Sequence, residues 1–106
     1  INSDNIENND EYFKDLCGAA ETCAEIGIEG MELSGYASSP PGTPSGPYFF
    51  CTARKLLDKT SLPLMLVGGI RTLSEVEQIL ASGIVTVSFC RPMIEDTGFL
   101  GKLFKH

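Results

Sequence analysis

Residues 63–67 read PLMLV, a short run in which every position is apolar. A strand with one face in water alternates apolar and polar residues, so this run predicts a strand covered on both faces, as strands in parallel sheets are. A second run, IVTVSF at residues 84–89, is rich in β-branched side chains and predicts another strand. Parallel strands need a crossover connection, and the residues between the two runs are numerous enough to supply a helix.

The segments around these strands carry apolar residues at helical spacing or the signals that begin and end helices. Asp10 is predicted as an N-cap, and Thr72 with Glu75 forms a capping box. The predicted elements, in chain order, are a helix over residues 11–26, a strand over 28–35, a helix from Tyr48, a strand over 63–67, a helix from Thr72 to Gly83, a strand over 84–89 and a short helix near 96–105.

This order is that of an α/β protein with a βαβαβ unit, which requires a parallel sheet with right-handed crossovers. Three such strands leave two apolar edges bare, and a complete (β/α)8 barrel takes about 250 residues. The 106 residues therefore predict part of a larger sheet, completed by further strands of the same polypeptide or by another copy of the chain. The alternative is a small flavodoxin-like domain that stands alone.

The first residues are polar and rich in asparagine, so residues 1–9 are predicted to be a flexible leader and residues 10–106 the folded domain. Because the chain starts at Ile1 rather than Met, we expect it to be part of a longer translation product.

Composition narrows the possible functions. The net charge is −6, from 8 basic and 14 acidic residues, and no basic stripe is present, which argues against nucleic-acid binding. No apolar run is long enough to span a membrane. The four cysteines form no C-x-x-C pair, so we expect them to be reduced and buried in a cytoplasmic protein rather than bound to zinc.

Two motifs follow predicted strands and carry groups suited to an anion. In LPLMLVGGIRT, residues 62–72, a strand leads into Gly68 and Gly69 and then into a capped helix, where backbone amides favour negative charge. In VSFCRPMI, residues 87–94, a strand leads into Arg91, whose guanidinium matches phosphate. Taken singly, the first motif also occurs in tight turns without a ligand, and a lone arginine is more often in a surface ion pair.

Together the two motifs make a more specific prediction. They end consecutive parallel strands, so they should lie side by side at the same edge of the sheet. In (β/α)8 barrels the loops after the seventh and eighth strands commonly form a phosphate site at the C-terminal face. The sequence places its paired glycines and its arginine in this arrangement.

Three stretches resemble the NADH:flavin oxidoreductase or Old Yellow Enzyme family. The first is VGGIRT with the helix SEVEQILASG after it, and the second is the strand that ends in a small residue followed by Arg91 and Pro92. The third is GIEGMELSG, which is followed by a Pro-rich loop. The resemblance covers most of residues 15–100. It implies that the chain is the C-terminal portion, about strands 6–8, of an FMN-binding TIM barrel. Barrels of the IMP dehydrogenase and glycolate oxidase types also have the Gly-Gly pair after a strand. The Arg-Pro pair favours the Old Yellow Enzyme family, whose members are ene-reductases, over these barrels.

The resemblance also implies roles for single residues. Gly68 and Gly69 match the amides that hold the FMN phosphate, and Arg91 matches the arginine that pairs with it. Cys90 stands where the family usually has glycine, so close approach of its backbone to the phosphate is in question. Tyr36, in the Pro-rich loop, is a candidate for contact with flavin or substrate, with packing inside the loop as the equal alternative.

Two other residues receive structural interpretations. Arg71 is predicted to form a surface ion pair at the start of its helix, and His106 is predicted to be a solvated residue of the tail.

The activity implied by the resemblance is hydride transfer from NADH or NADPH to FMN and then to an α,β-unsaturated small molecule. The segments that hold the substrate and the flavin ring in the family have no counterpart here, so we expect the chain alone to be inactive and to bind FMN weakly at best. The alternatives are a non-catalytic, self-associating half-barrel and part of another phosphate-ligand barrel, such as an isomerase or aldolase.

Overall fold

A computed structural model describes residues 1–4, 10–35 and 46–105 of the chain. Its elements are β1 (Asn2–Asp4), α1 (Asp10–Glu25), β2 (Met31–Gly35), α2 (Phe50–Leu57), β3 (Leu64–Val67), α3 (Leu73–Ala81), β4 (Thr86–Ser88), α4 (Arg91–Glu95) and α5 (Phe99–Leu103). The predicted α/β class is confirmed, and strands and helices alternate as βαβαβ units do.

The strands form one parallel sheet in the sequential order β1-β2-β3-β4. In the central pair Leu33 lies opposite Leu66, and Leu66 lies opposite Val87 of the next strand. In a parallel sheet whose strands follow one another in sequence order, right-handed crossovers place all the connecting helices on the same face.

One hydrophobic core lies on this helical face. The first three helices each contribute two buried residues, and β2 and β3 contribute the alternate positions that point toward them. The buried residues of these elements are Leu16, Ala20, Met31, Leu33, Ala53, Leu56, Leu64, Leu66, Val76 and Ile79. Burial of a leucine side chain contributes about 1.5–3 kcal/mol, so this cluster dominates the stability of the sheet.

The opposite face of the sheet is open. In β3, Leu64 and Leu66 are fully buried whereas Met65 and Val67 are only half-buried. The prediction that this strand is covered on both faces is therefore wrong for the described residues, because all three crossover helices pack on the same side. The open face also carries exposed polar positions, among them Glu32 and Thr86, which lie on either side of Met65.

Strand β1 lies within the segment for which a flexible leader was predicted. Asn2 lies opposite Ser34, and the Ser34 amide donates to the carbonyl oxygen of Ile1 over 2.9 Å. Backbone pairing with β2 thus orders a polar segment that has little intrinsic strand propensity. Residues 5–9 lie outside the described part of the chain, and the domain boundary at residue 10 stays a prediction.

The helix boundaries differ from the predicted ones by small amounts. Asp10 lies within the first turn of α1 rather than capping it, and α2 begins at Phe50 rather than at Tyr48. The capping box of α3 is confirmed: the Glu75 amide donates to Thr72 Oγ1 over 3.2 Å, and the Thr72 amide donates to Glu75 Oε1 over 2.9 Å.

The end of the chain forms two short helices where one was predicted. Between them the Asp96 carboxylate accepts hydrogen bonds from Lys102 Nζ over 2.7 Å and from the Gly98 amide over 2.9 Å. The Lys102 ammonium, and then the Gly98 amide, hold the pKa of Asp96 below its usual value of 3.8. A carboxyl with a lowered pKa stabilises the folded state at neutral pH, and this contribution disappears as the pH falls below 3.8 through the lowered pKa.

All four cysteines are free thiols. The expectation that they are buried is wrong for Cys51 and Cys90, which are exposed, while Cys17 and Cys23 are half-buried against the core.

Candidate functional site

A cavity of about 220 Å³ opens at the carboxyl ends of β2, β3 and β4. It contains four of the five residues predicted as a binding site: Gly68, Gly69, Cys90 and Arg91. The fifth, Tyr36, lies outside the described residues, as does His106. The turns after two neighbouring strands therefore meet in one cavity, as their order in the sequence predicted.

The glycine turn after β3 has a backbone that disfavours any other residue. Gly68 and Gly69 have φ values of +107° and +72°, in the region that L side chains rarely adopt. A Cβ on Gly69 would overlap the carbonyl oxygen of Gly46 and approach the Tyr48 ring to 2.9 Å. Packing alone thus accounts for both glycines, and their presence does not by itself indicate a ligand.

The Phe49 ring fills the space between the ends of β2 and β3. A Cβ on Gly35 would overlap this ring, and one on Gly68 would lie 2.7 Å from it. Phe49 is only 5 % exposed, and the preceding Tyr48 amide donates to the Gly68 carbonyl oxygen over 3.2 Å. The segment before α2 is therefore fastened to the glycine turn and forms one wall of the cavity. Phe49 falls inside the helix predicted to start at Tyr48, whereas in the structure it precedes the first residue of α2.

Two amides just before α3 are occupied by a carboxylate of the chain itself. Glu75 Oε1 accepts hydrogen bonds from the amides of Arg71 and Thr72, over 3.0 Å and 2.9 Å. The capping residue Glu75 therefore makes these two amides unavailable to a bound anion. The role predicted for the Gly68 and Gly69 amides stays a prediction.

Arg71 forms the surface ion pair that was predicted for it. Its Nη1 lies 3.0 Å from Glu95 Oε2, and the two side chains are 45 % and 61 % exposed. An exposed pair of this kind contributes less than about 1 kcal/mol. Its structural effect is to connect the start of α3 to the end of α4 across one side of the cavity.

Of the two arginines that line the cavity, Arg91 is the one that forms no ion pair with a described residue. Its side chain is exposed, and it forms no ion pair with any residue that the structure describes. The neighbouring Cys90 has a φ of −127°, so its backbone conformation does not require glycine. Cysteine at this position is therefore compatible with the turn.

The donors around the cavity suit a phosphate group. The chain carries a net charge of −6, yet two of its three arginines, Arg71 and Arg91, line this one cavity. A guanidinium offers a planar set of N–H donors that matches phosphate oxygens. The cavity is smaller than the roughly 300–1,000 Å³ of a site that encloses a whole ligand, so it fits one end of a larger molecule.

Two serines lie at the sheet side of the cavity, on the open face. Ser88 Oγ donates to Glu32 Oε2 over 2.6 Å, and Ser34 Oγ donates to the carbonyl oxygen of Ile1 over 3.3 Å. Sequence reasoning missed this group, although the alternation in MELSG and in TVS places Glu32, Ser34 and Ser88 on one face of the sheet.

Among residues 1–4, 10–35 and 46–105, no three acidic, cysteine or histidine side chains are grouped closely enough to bind a metal ion. Within the same residues, no helix has the length and apolar character needed to cross a membrane.

Comparison with protein-family models, with curated proteins and with solved structures finds no match to this chain.

Proposed function

We propose that this chain is a C-terminal fragment of an FMN-dependent NAD(P)H oxidoreductase of the Old Yellow Enzyme type, and that it supplies the strands that bind the FMN phosphate. The observation that carries the proposal is the meeting of the Gly68–Gly69 turn and the Cys90–Arg91 turn in one cavity. Both turns follow neighbouring parallel strands, β3 and β4, at their carboxyl ends. This is the position at which (β/α)8 barrels commonly bind phosphate.

The topology of the sheet supports a barrel over a flavodoxin-like domain. A flavodoxin-like sheet reverses its strand order at one point and has helices on both faces. Here the order is sequential, and the helices α1, α2 and α3 share one core. The short helix α4 directly after β4 also has a counterpart in barrels, where a short extra helix often follows the last strand.

The open face supports the same proposal. β3 carries apolar side chains on both faces, and Met65 and Val67 are only half-buried on the open one. In a barrel this face points to the interior and is covered by the other strands. With β1 included, the chain has four strands, which would be the fifth to eighth of eight.

In this proposal each residue of the cavity has a limited role. Arg91 pairs with the phosphate and the amides of Gly68 and Gly69 donate to it, while the lack of side chains on this turn allows the chain to pass closely under the loop that forms the cavity wall. Arg71 adds positive charge that Glu95 partly offsets. When bound, FMN supplies hydride transfer between NADH or NADPH and an α,β-unsaturated substrate, and the described residues orient it by its phosphate end.

A comparison of FMN with riboflavin tests the proposal, because the two ligands differ only in the phosphate. We expect the purified chain to bind FMN roughly tenfold or more tightly than riboflavin, since charge-assisted hydrogen bonds contribute about 1.5–3 kcal/mol. Quenching of flavin fluorescence measures both affinities, and the difference should shrink as salt is added. The chain alone should not oxidise NADH in the presence of cyclohexenone. Equal affinity for the two flavins contradicts the proposed phosphate site.

A second candidate function is a self-associating half-barrel without catalytic activity. It is favoured by the number of strands, because four parallel strands with edges at β1 and β4 are half of a closed (β/α)8 barrel. Sedimentation equilibrium separates the two candidates. A discrete dimer that does not distinguish FMN from riboflavin supports the half-barrel, and a chain that prefers FMN supports the flavoprotein.

A further inference from the structure

We infer that Glu95 is an internal competitor for Arg71, so that an anion that binds in the cavity must displace the Glu95 carboxylate from the guanidinium. The inference rests on the proposed phosphate site and adds to it an autoinhibitory contact made by the chain itself. Its basis is the ion pair in which Arg71 Nη1 lies 3.0 Å from Glu95 Oε2, together with the place of Arg71 in the lining of the cavity.

Two anions have access to the guanidinium of Arg71. Arg71 lines the same cavity as Arg91, whereas Glu95 does not line it, so the carboxylate approaches the guanidinium from outside the cavity. A carboxylate and a phosphate both accept hydrogen bonds from the same set of guanidinium N–H groups. Donors that point to Glu95 are not available to a ligand, and the negative charge of Glu95 offsets the positive charge that Arg71 offers to the cavity.

The ion pair is weak enough for a ligand to displace it. The structure gives the two side chains one hydrogen bond, from Nη1 to Oε2, rather than the bidentate pair that arginine forms in strong contacts. The side chains are 45 % and 61 % exposed, and water and salt weaken a pair of this kind. A phosphate dianion carries more charge than a carboxylate and can accept two parallel N–H bonds, so it displaces Glu95 and loses part of its affinity in doing so.

A carboxylate can also orient an arginine for a ligand, and removing it would then weaken binding. The surroundings of Glu95 favour competition instead. The backbone of Arg71 is fixed independently, because its amide donates to Glu75 Oε1 over 3.0 Å. Glu95 ends the five-residue helix α4, which has no buried residue, so the carboxylate is on a weakly packed element and is poorly suited to orient its partner.

Displacement of Glu95 also couples the cavity to α4. The ion pair is a side-chain link between the start of α3 and the end of α4. Since α4 has no buried residue, loss of this link leaves the end of the helix with little packing to hold it in place. Binding of an anion at Arg71 should therefore be felt at Glu95, on the side of α4 that lies outside the cavity.

The test is a double-mutant cycle with inorganic phosphate as the ligand. Amide NMR signals measure the Kd of the wild type, of Glu95→Gln, of Arg71→Gln and of the double variant at constant ionic strength. We expect Glu95→Gln to bind phosphate about two- to fivefold more tightly, the range that exposed ion pairs give. With glutamine at position 71 the same change should give no such gain, because the contested guanidinium is gone.

Glu29→Gln is the matched control for the loss of one negative charge. Glu29 is exposed just before β2, at the amino ends of the strands and thus at the edge of the sheet opposite the cavity. The Kd for phosphate should stay the same in this variant. A gain equal to that of Glu95→Gln would show that net charge, rather than competition for Arg71, sets the affinity.

The wild type provides a second measurement that needs no variant. The NMR signal of the Glu95 side-chain carboxyl carbon should move during the phosphate titration with the same midpoint as the amide signal of Arg91. If this signal stays constant, or if Glu95→Gln weakens phosphate or gains as much with glutamine at 71 as with arginine, the competition is refuted and the phosphate site stands. If neither the wild type nor Glu95→Gln binds phosphate, the proposed function fails, and the inference fails with it.

Discussion

Replacing Gly69 with alanine should lower the free energy of unfolding by about 3 kcal/mol. The change adds a side chain at a φ of +72°, a conformation that costs a non-glycine residue about 1–3 kcal/mol. It also places a Cβ against the carbonyl oxygen of Gly46 and the Tyr48 ring, and overpacking of this kind costs about 1–3 kcal/mol more unless the loop moves. Urea denaturation of the two proteins measures the difference.

Gly18→Ala is the matched control for this prediction. Gly18 lies within α1, and a Cβ there would meet nothing within 4 Å. Alanine in a helix interior is about 0.5–1 kcal/mol more favourable than glycine, so this variant should be more stable than the wild type. A Gly69→Ala variant as stable as the wild type would show that the glycine turn is not constrained as described.

Replacing Arg91 with alanine should raise the Kd for FMN about tenfold. A hydrogen bond to a charged group contributes about 1.5–3 kcal/mol, and the lower end applies because the guanidinium is exposed to water. Fluorescence titration with FMN and calorimetry with inorganic phosphate measure the change. Affinity for riboflavin, which has no phosphate, should stay the same.

Arg54→Ala removes the same charge outside the cavity. Arg54 is exposed on α2 with its guanidinium 5.6 Å from the centre of the Phe50 ring, and it does not line the cavity. We expect FMN affinity to change by less than about twofold in this variant, because Arg54 can act on the phosphate only as an exposed charge that salt screens. If Arg54→Ala and Arg91→Ala weaken FMN equally, net charge rather than a specific contact explains the binding.

The features that the sequence predicted well are those set by local rules or by the direction of the strands. The capping box of Thr72 and Glu75 depends on two residues three positions apart, and the structure confirms it. The meeting of Gly69 and Arg91 in one cavity follows from a parallel sheet, in which the carboxyl ends of neighbouring strands share an edge.

The features that the sequence did not predict depend on contacts between distant segments. Strand β1 consists of polar residues, and only its pairing with β2 makes it a strand. The position of Phe49 depends on the ends of β2 and β3 leaving a gap of the right size, which no local pattern encodes. The hydrogen bond between Glu32 and Ser88 joins residues 56 positions apart.

The insertion of Phe49 between Gly35 and Gly68 links the evolution of these three positions. A large ring at 49 and a side chain at 35 or 68 cannot occupy the same space, since a Cβ on either glycine would overlap the ring or lie within 2.7 Å of it. Alanine at position 35 therefore requires the ring at 49 to shift or to be replaced by a smaller side chain. Alanine at position 68 stays strained even then, because its φ of +107° disfavours any side chain, so position 35 is the one whose variation depends on residue 49.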